Sequence, residues 1–189
     1  MSMKTINLFI ALLITSAIFS CKKDSGTQEI ISIPNGDFEL WDTMQALLLW
    51  HTNSCPACDP PFETYIVQEV TEAYSGQFAA KLIYNNVYSS YSNNKFSISS
   101  HPTNLTGYVK SVIAPGDTAL IHIDLFQGNN IVDTGNWYEI SSTSDYKKIE
   151  IPISQKSSSA DSAFISIVGG KKQNTVLYVD HFEFVKTTK

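Results

Sequence analysis

The sequence predicts an all-β domain, built as a two-sheet β-sandwich of the jelly-roll class. Three observations carry this prediction. Tyr, Phe, Thr, Ser, Ile and Val abound while charged residues make up only 16 % of the chain, a composition suited to pleated, half-buried surfaces. Short runs of alternating apolar and polar residues recur at close intervals, with turn residues between them. No long segment has a helical period of 3.6; the best helical window, Asp42–Trp50, is brief.

Eight strands follow in order. Tyr65–Val70 precedes a turn at Ser75-Gly76. Phe78–Tyr84 puts Phe78, Ala80, Leu82 and Tyr84 on one face. Lys95–Ser99 is short. Leu105–Ile113 alternates Leu105, Gly107 and Val109 with Thr106, Tyr108 and Lys110, and Ala114-Pro115-Gly116-Asp117 then supplies a tight reversal. Ala119–Phe126 sets Ala119, Ile121, Ile123 and Leu125 against Leu120, His122, Asp124 and Phe126. Lys148–Ile153 turns its three isoleucines inward, and Pro152 marks it as an edge or bulged strand. Ala163–Val168 and Val176–Val185 complete the set. This many strands in roughly 150 residues make a sandwich.

The first twenty residues stand apart from this domain. Lys4 gives a small positive region, Ile6–Phe19 is an apolar run short for a membrane span, and Ser20-Cys21 follows. The stretch resembles a bacterial lipoprotein signal, which implies cleavage before Cys21 and lipid attachment to it; an uncleaved N-terminal anchor is the alternative. Residues 21–33 read as a polar, flexible tether and 34–189 as the sandwich domain. Cleavage removes Lys4 and moves the formal charge from −5 to −6.

All thirteen basic residues are lysine. An acidic chain without Arg lacks the bidentate fork that nucleic-acid and phosphate recognition favours, so a nucleic-acid partner is excluded. Outside the lipid itself, a membrane-surface partner is not expected. Cys55 and Cys58, in NSCPACDPP, most simply form a small loop disulfide in an oxidising compartment. A redox CxxC needs a helix after it, and Asp59-Pro60-Pro61 prevents one. A zinc site needs two further ligands, and no second CxxC or paired His supplies them.

Two acid-bearing stretches lie at opposite ends of the domain: NGDFELW (Asn35–Trp41) and VLYVDHFEFV (Val176–Val185). Their placement predicts that the chain ends meet and share a cation. An acid such as Asp180, set between core residues, needs a partner to be buried at all. Alternatively, Asp37 and Glu39 cap turns and Asp180 accepts backbone N–H bonds.

The order of NGDFELW, SGQFAAKL, PTNLTGYVKSVIAPGDTALIHIDL, DYKKIEIPI and LYVDHFEFV resembles the galactose-binding-like jelly-roll domains of Bacteroidota surface lipoproteins. Among these it is most similar to the carbohydrate-metabolism-domain group, and more distantly to carbohydrate-binding modules of families 4, 9 and 22. The resemblance spans nearly all of Asn35–Val185. It implies glycan binding without catalysis, a place in the cell envelope as an outer-membrane lipoprotein, and a structural Ca²⁺. For that calcium it points to Glu39 and Asp180 with Asp37 nearby, and backbone oxygens from the Ser75-Gly76 turn.

Glycan recognition stacks sugar rings on aromatic faces and reads hydroxyls with neighbouring polar groups. Three stretches have that mixture: Tyr84–Asn94, Gln127–Tyr138 and the polar face of Ala119–Phe126. The candidates are Tyr88, Tyr91, His122, Asp124, Trp137 and Tyr138; Trp41 and Trp50 read as core. For any single aromatic, ordinary packing is the commoner role. His51, His101, His122 and His181 stand apart without HExxH spacing, and no GxSxG, P-loop or GxGxxG motif is present. The leading expectation is a lipid-anchored, non-catalytic carbohydrate-binding module. Its rivals are a structural or adhesive protein contacting a cell-surface partner, and a glycan-processing hydrolase.

Overall fold

A computed structural model describes residues 27–54, 66–84, 91–157 and 159–188, with backbone alone for 91–93. Cys21, Cys55, Cys58 and Tyr88 lie outside the described residues. Eleven strands run in chain order: β1 (Gln28–Ser32), β2 (His51–Thr52), β3 (Val67–Val70), β4 (Ala79–Ile83), β5 (Tyr91–Ser97), β6 (Asn104–Val112), β7 (Ala119–Gln127), β8 (Asn130–Glu139), β9 (Lys147–Pro152), β10 (Ser162–Val168) and β11 (Val176–Thr187). They form two antiparallel sheets packed as a β-sandwich, and the described residues contain no helix. One sheet has the order β3-β4-β11-β6-β9, with β1 also pairing with β11; the other has the order β2-β5-β10-β7-β8.

The alternation seen in the sequence becomes burial. Ile121, Ile123, Leu125, Ile165 and Ile167 from one sheet meet Leu82, Leu105, Val109, Ile149, Ile151, Leu177 and Val179 from the other in a single core. Burying such side chains contributes roughly 1.5–3 kcal/mol each. The turn at Ala114–Asp117 closes with Asp117 N–H donating to Ala114 O at 2.9 Å, and Gly116 takes φ 69°. β9 is an edge strand, as Pro152 requires.

The first and last parts of the described fold do meet. β1 pairs with β11, and Phe182 N–H donates to Gly36 O at 2.6 Å. Phe38 is fully buried, with Trp50 at 5.2 Å and an edge-on Phe182 at 5.4 Å between ring centroids. The Phe182 ring covers Gly107 so closely that any Cβ there would collide with it. Trp50 is core and Trp41 packs partly against it.

Three features differ from the sequence expectation. β1 lies inside the span read as tether, because its single buried side chain, Ile31, leaves no visible period. The Asp42–Trp50 window is a loop. β8 occupies a stretch read as turn-like, since its inward positions carry Asp133, Gly135, Trp137 and Glu139 in place of the usual aliphatics.

Candidate functional site

Two of the polar–aromatic stretches, Gln127–Tyr138 and the polar face of Ala119–Phe126, meet on the outer face of the five-stranded sheet. In antiparallel pairs, residues directly opposite each other share a face, so the register writes out that surface row by row. One row contains Val168, Leu120 and Tyr138, with Tyr91 at the register position beyond Val168. The next runs through Ser166, His122 and Asn136, and continues by register to Asn93 and His51. A third holds Lys95, Phe164, Asp124 and Thr134.

His122 is the hub of this face. Its Nε2 lies 3.0 Å from Asp124 Oδ1, and its Nδ1 lies 2.8 Å from Asn136 Oδ1. The imidazole is thereby held in one orientation by an acid on its own strand and an amide on the next. Tyr138, 60 % exposed, stands one row away on β8. Lys95 extends over the Phe126 ring, Nζ to centroid 4.4 Å. Such a surface offers an open ring for stacking beside a fixed set of donors and acceptors.

Trp137 does not join this surface. It is opposite Ile121 and packs partly against the core, with Lys147 Nζ 5.3 Å from its ring centroid. Sequence reasoning overlooked Asn136, Ser166 and Lys95. Their signal is cross-strand register with His122 and Asp124, which no single strand displays.

On the inward side of the same edge strand, Asp133 is buried and saturated. It accepts from His101 Nε2 (2.9 Å), Ser154 Oγ (2.8 Å), Lys156 N–H (2.8 Å) and Ser157 N–H (3.0 Å). Burial pushes its pKa up, but these donors outweigh it and bring the carboxyl down to about 2. Glu139, also buried, pairs with Lys147 and accepts from Ser141. Both acids hold the fold together at the β8 edge.

The acids proposed for a cation sit around the loop that precedes β4. Asp180 Oδ2 accepts from the N–H groups of Tyr74 (2.7 Å) and Ser75 (2.9 Å); Glu39 Oε1 accepts from those of Gln77 (2.9 Å) and Phe78 (3.1 Å). Gly76 takes φ +70°, and a Cβ there would strike the Glu39 carboxylate. Asp180 stands opposite Tyr108 on the outer face of its sheet and is fully buried there beneath the Tyr74–Ser75 loop; a β-bulge between Asp180 and Glu183 then shifts the alternation so that Phe182 and Phe184 face the core. Burial raises the Asp180 pKa against the pull of those N–H groups. Its second oxygen, Oδ1, is buried without a hydrogen-bond partner. Asp37 is exposed and lines a separate cavity of about 410 Å³ with His181 and Glu183. Among the described residues, no three His, Cys, Asp or Glu side chains gather as a metal-holding group.

The two-sheet β-sandwich matches the fold of a carbohydrate-binding module of known structure. At 12 % identity and TM-score 0.55, the chain is similar to TmCBM61, solved in complex with β-1,4-galactotriose; 82 % of this chain and 97 % of that one are covered. The K2 cleaved adhesin domain of Lys-gingipain is similar at TM-score 0.52 and 11 % identity, covering 83 % and 97 %. A cyclase from Fischerella sp. is similar at TM-score 0.50 and 12 % identity, covering 86 % and 98 %. At such identities the likeness is one of fold, and this fold carries binding, adhesive and enzymatic proteins alike. No protein-family model and no curated protein matches the chain.

Proposed function

We propose that this chain is a non-catalytic carbohydrate-binding module whose ligand lies across the outer face of the five-stranded sheet. The observation that supports this most is the His122–Asp124–Asn136 network beside the exposed ring of Tyr138. An imidazole and an amide fixed by one another suit the reading of sugar hydroxyls, and Tyr138 suits stacking. Asp124 is the one carboxylate in the three rows described.

The same reading places the domain in the cell envelope, held by lipid on Cys21. Calcium belongs to it through Asp180. A buried carboxylate oxygen without a donor is the kind of group a hard cation satisfies. In the proposal Asp180 Oδ1 would hold the ion with backbone carbonyls, while Glu39 keeps the adjoining loop closed. The ion would supply charge compensation and rigidity, not chemistry.

The test is a glycan-array screen of the protein, comparing parent, His122→Ala and Tyr138→Ala. Binding that falls in both variants supports the reading. Binding untouched by either moves the site off this face. Silence across a broad array, from folded protein, leaves the protein-contact function in its place.

A further inference from the structure

The outer face of the six-stranded sheet carries a second aromatic surface, on the side of the sandwich away from His122. Register places Lys81, Tyr178 and Lys110 in one row, and Asp180, Tyr108 and Lys148 in the next. Lys81 Nζ lies 5.9 Å and Lys110 Nζ 5.1 Å from the Tyr178 ring centroid. Ammonium groups drawn to a ring in this way are held near one place on the sheet.

The loop before β4 lays Tyr74 over the second row. Its ring stacks on Tyr108, with centroids 3.3 Å and planes 11° apart, and meets Tyr146 edge-on at 6.3 Å. Asp180 Oδ2 accepts the Tyr74 N–H (2.7 Å), and Tyr146 Oη donates to Glu72 O (2.7 Å), which ties down the residues on that side of the ring. Tyr74 is nonetheless 46 % exposed. A large ring fixed by its neighbours and its own backbone, and still open to solvent, is a stacking platform.

Charge decides what would stack there. The chain has a formal charge of −5, yet these two rows hold three lysines, and their one acid, Asp180, is buried under the loop amides. Lys110 pairs with Glu72; among the described residues Lys81 and Lys148 make no ion pair with an acid. The row beyond, Glu183, Thr106 and Glu150, is acidic and bounds the patch. A lysine is a compact point charge that serves an oxyanion without the fork of an arginine.

We infer that Tyr74 with Lys81, Lys110 and Lys148 forms a second ligand site, which takes an acidic sugar. The sugar ring lies against Tyr74 and its carboxylate or sulfate turns toward the lysines. An acidic peptide would meet the same charges but gains nothing from a flat ring held in one orientation. The site stands on the opposite sheet from the His122 face and does not rest on the reading of that face as a glycan site.

The experiment titrates the full chain with an oligogalacturonate, a heparin-derived oligosaccharide and a neutral galactan oligosaccharide of matched length. At least one acidic oligomer should bind, and which one does tells carboxylate from sulfate. Lys81→Gln combined with Lys148→Gln should weaken that binding about tenfold, as two exposed charge contacts would. Tyr74→Ala should weaken it about fivefold, and Tyr74→Phe, which keeps the platform, should retain it. His122→Ala combined with Tyr138→Ala should leave it in place, and the neutral oligomer should not displace it. Acidic binding lost in that last variant instead moves the sugar to the five-stranded face and overturns this site alone. Binding unmoved by the lysine variant overturns it as well, as does silence of both acidic oligomers with folded protein. Displacement by polyglutamate at equal charge concentration overturns the sugar assignment.

Discussion

His122 and Asn136 face each other across β7 and β8, Nδ1 to Oδ1 at 2.8 Å, and the Asp124 carboxylate holds the other side of the imidazole. The ring is fixed by neighbours whose other polar atoms remain available to a ligand. His122→Ala should weaken glycan binding by roughly 1 kcal/mol, about fivefold. Asn136→Ala should do the same, and the double variant should lose less than the sum because the two act as one unit. Titration calorimetry with the best array ligand measures this; additive losses would mean that the two residues bind independently.

Trp137 gives the opposite expectation. It lies under Lys147 at the seam of the sandwich. Trp137→Ala should therefore destabilise the fold by about 2–3 kcal/mol, near the low end for large aromatic truncations, with little change in glycan affinity at temperatures where the variant is folded. Loss of affinity at unchanged stability would put Trp137 back among the ligand-binding residues.

Asp133 should govern acid stability. Its folded pKa of about 2 lies below the ordinary 3.8. A lowered carboxylate contributes stability that is fully present above the unfolded value and is lost as pH falls through the folded one. The shift corresponds to about 2 kcal/mol. Asp133→Asn should be less stable by about that amount at neutral pH, and the gap from the parent should close as the pH falls from 4 toward 2. Urea unfolding across that range checks it; a gap independent of pH would show that lost hydrogen bonds, not ionisation, carry the effect.

Asp180 has the opposite sign. Burial raises its folded pKa, so without a cation its ionisation detracts from stability as pH rises above the ordinary 3.8 toward the raised value. In chelator at neutral pH, Asp180→Asn should be no less stable than the parent. Added calcium should raise the parent's Tm by roughly 5–10 °C at a hundredfold excess over Kd and leave the variant's unmoved. A parent Tm indifferent to calcium would end the calcium reading and leave Asp180 as an anchor for the Tyr74–Ser75 amides.

The aliphatic strands were legible in the sequence because their inward positions are isoleucine, leucine and valine, as in β7 and β10. β8 was not, because its buried positions include Asp133 and Glu139, which are satisfied by His101, Ser154 and Lys147 from distant segments. The candidate face was half legible. His122 and Asp124 announce themselves at i, i+2 on one strand, whereas Asn136 and Ser166 join them only through register. Trp137 and Tyr138 show the limit most clearly: adjacent aromatics of similar sequence context point to opposite sides of a sheet.

The position of β11 also bears on when the protein can fold. It lies between β4 and β6 and pairs with β1 as well, so the middle of its sheet is a twelve-residue strand that follows every other described strand in the chain. Until that strand emerges, β1, β4 and β6 have no common neighbour, Phe38 has no Phe182 against it, and the loop at Tyr74–Phe78 has lost the Asp180 half of its clamp. Closure of this sheet therefore waits on β11, whatever else of the fold has formed. Deleting β11 is therefore far more damaging than its twelve residues suggest.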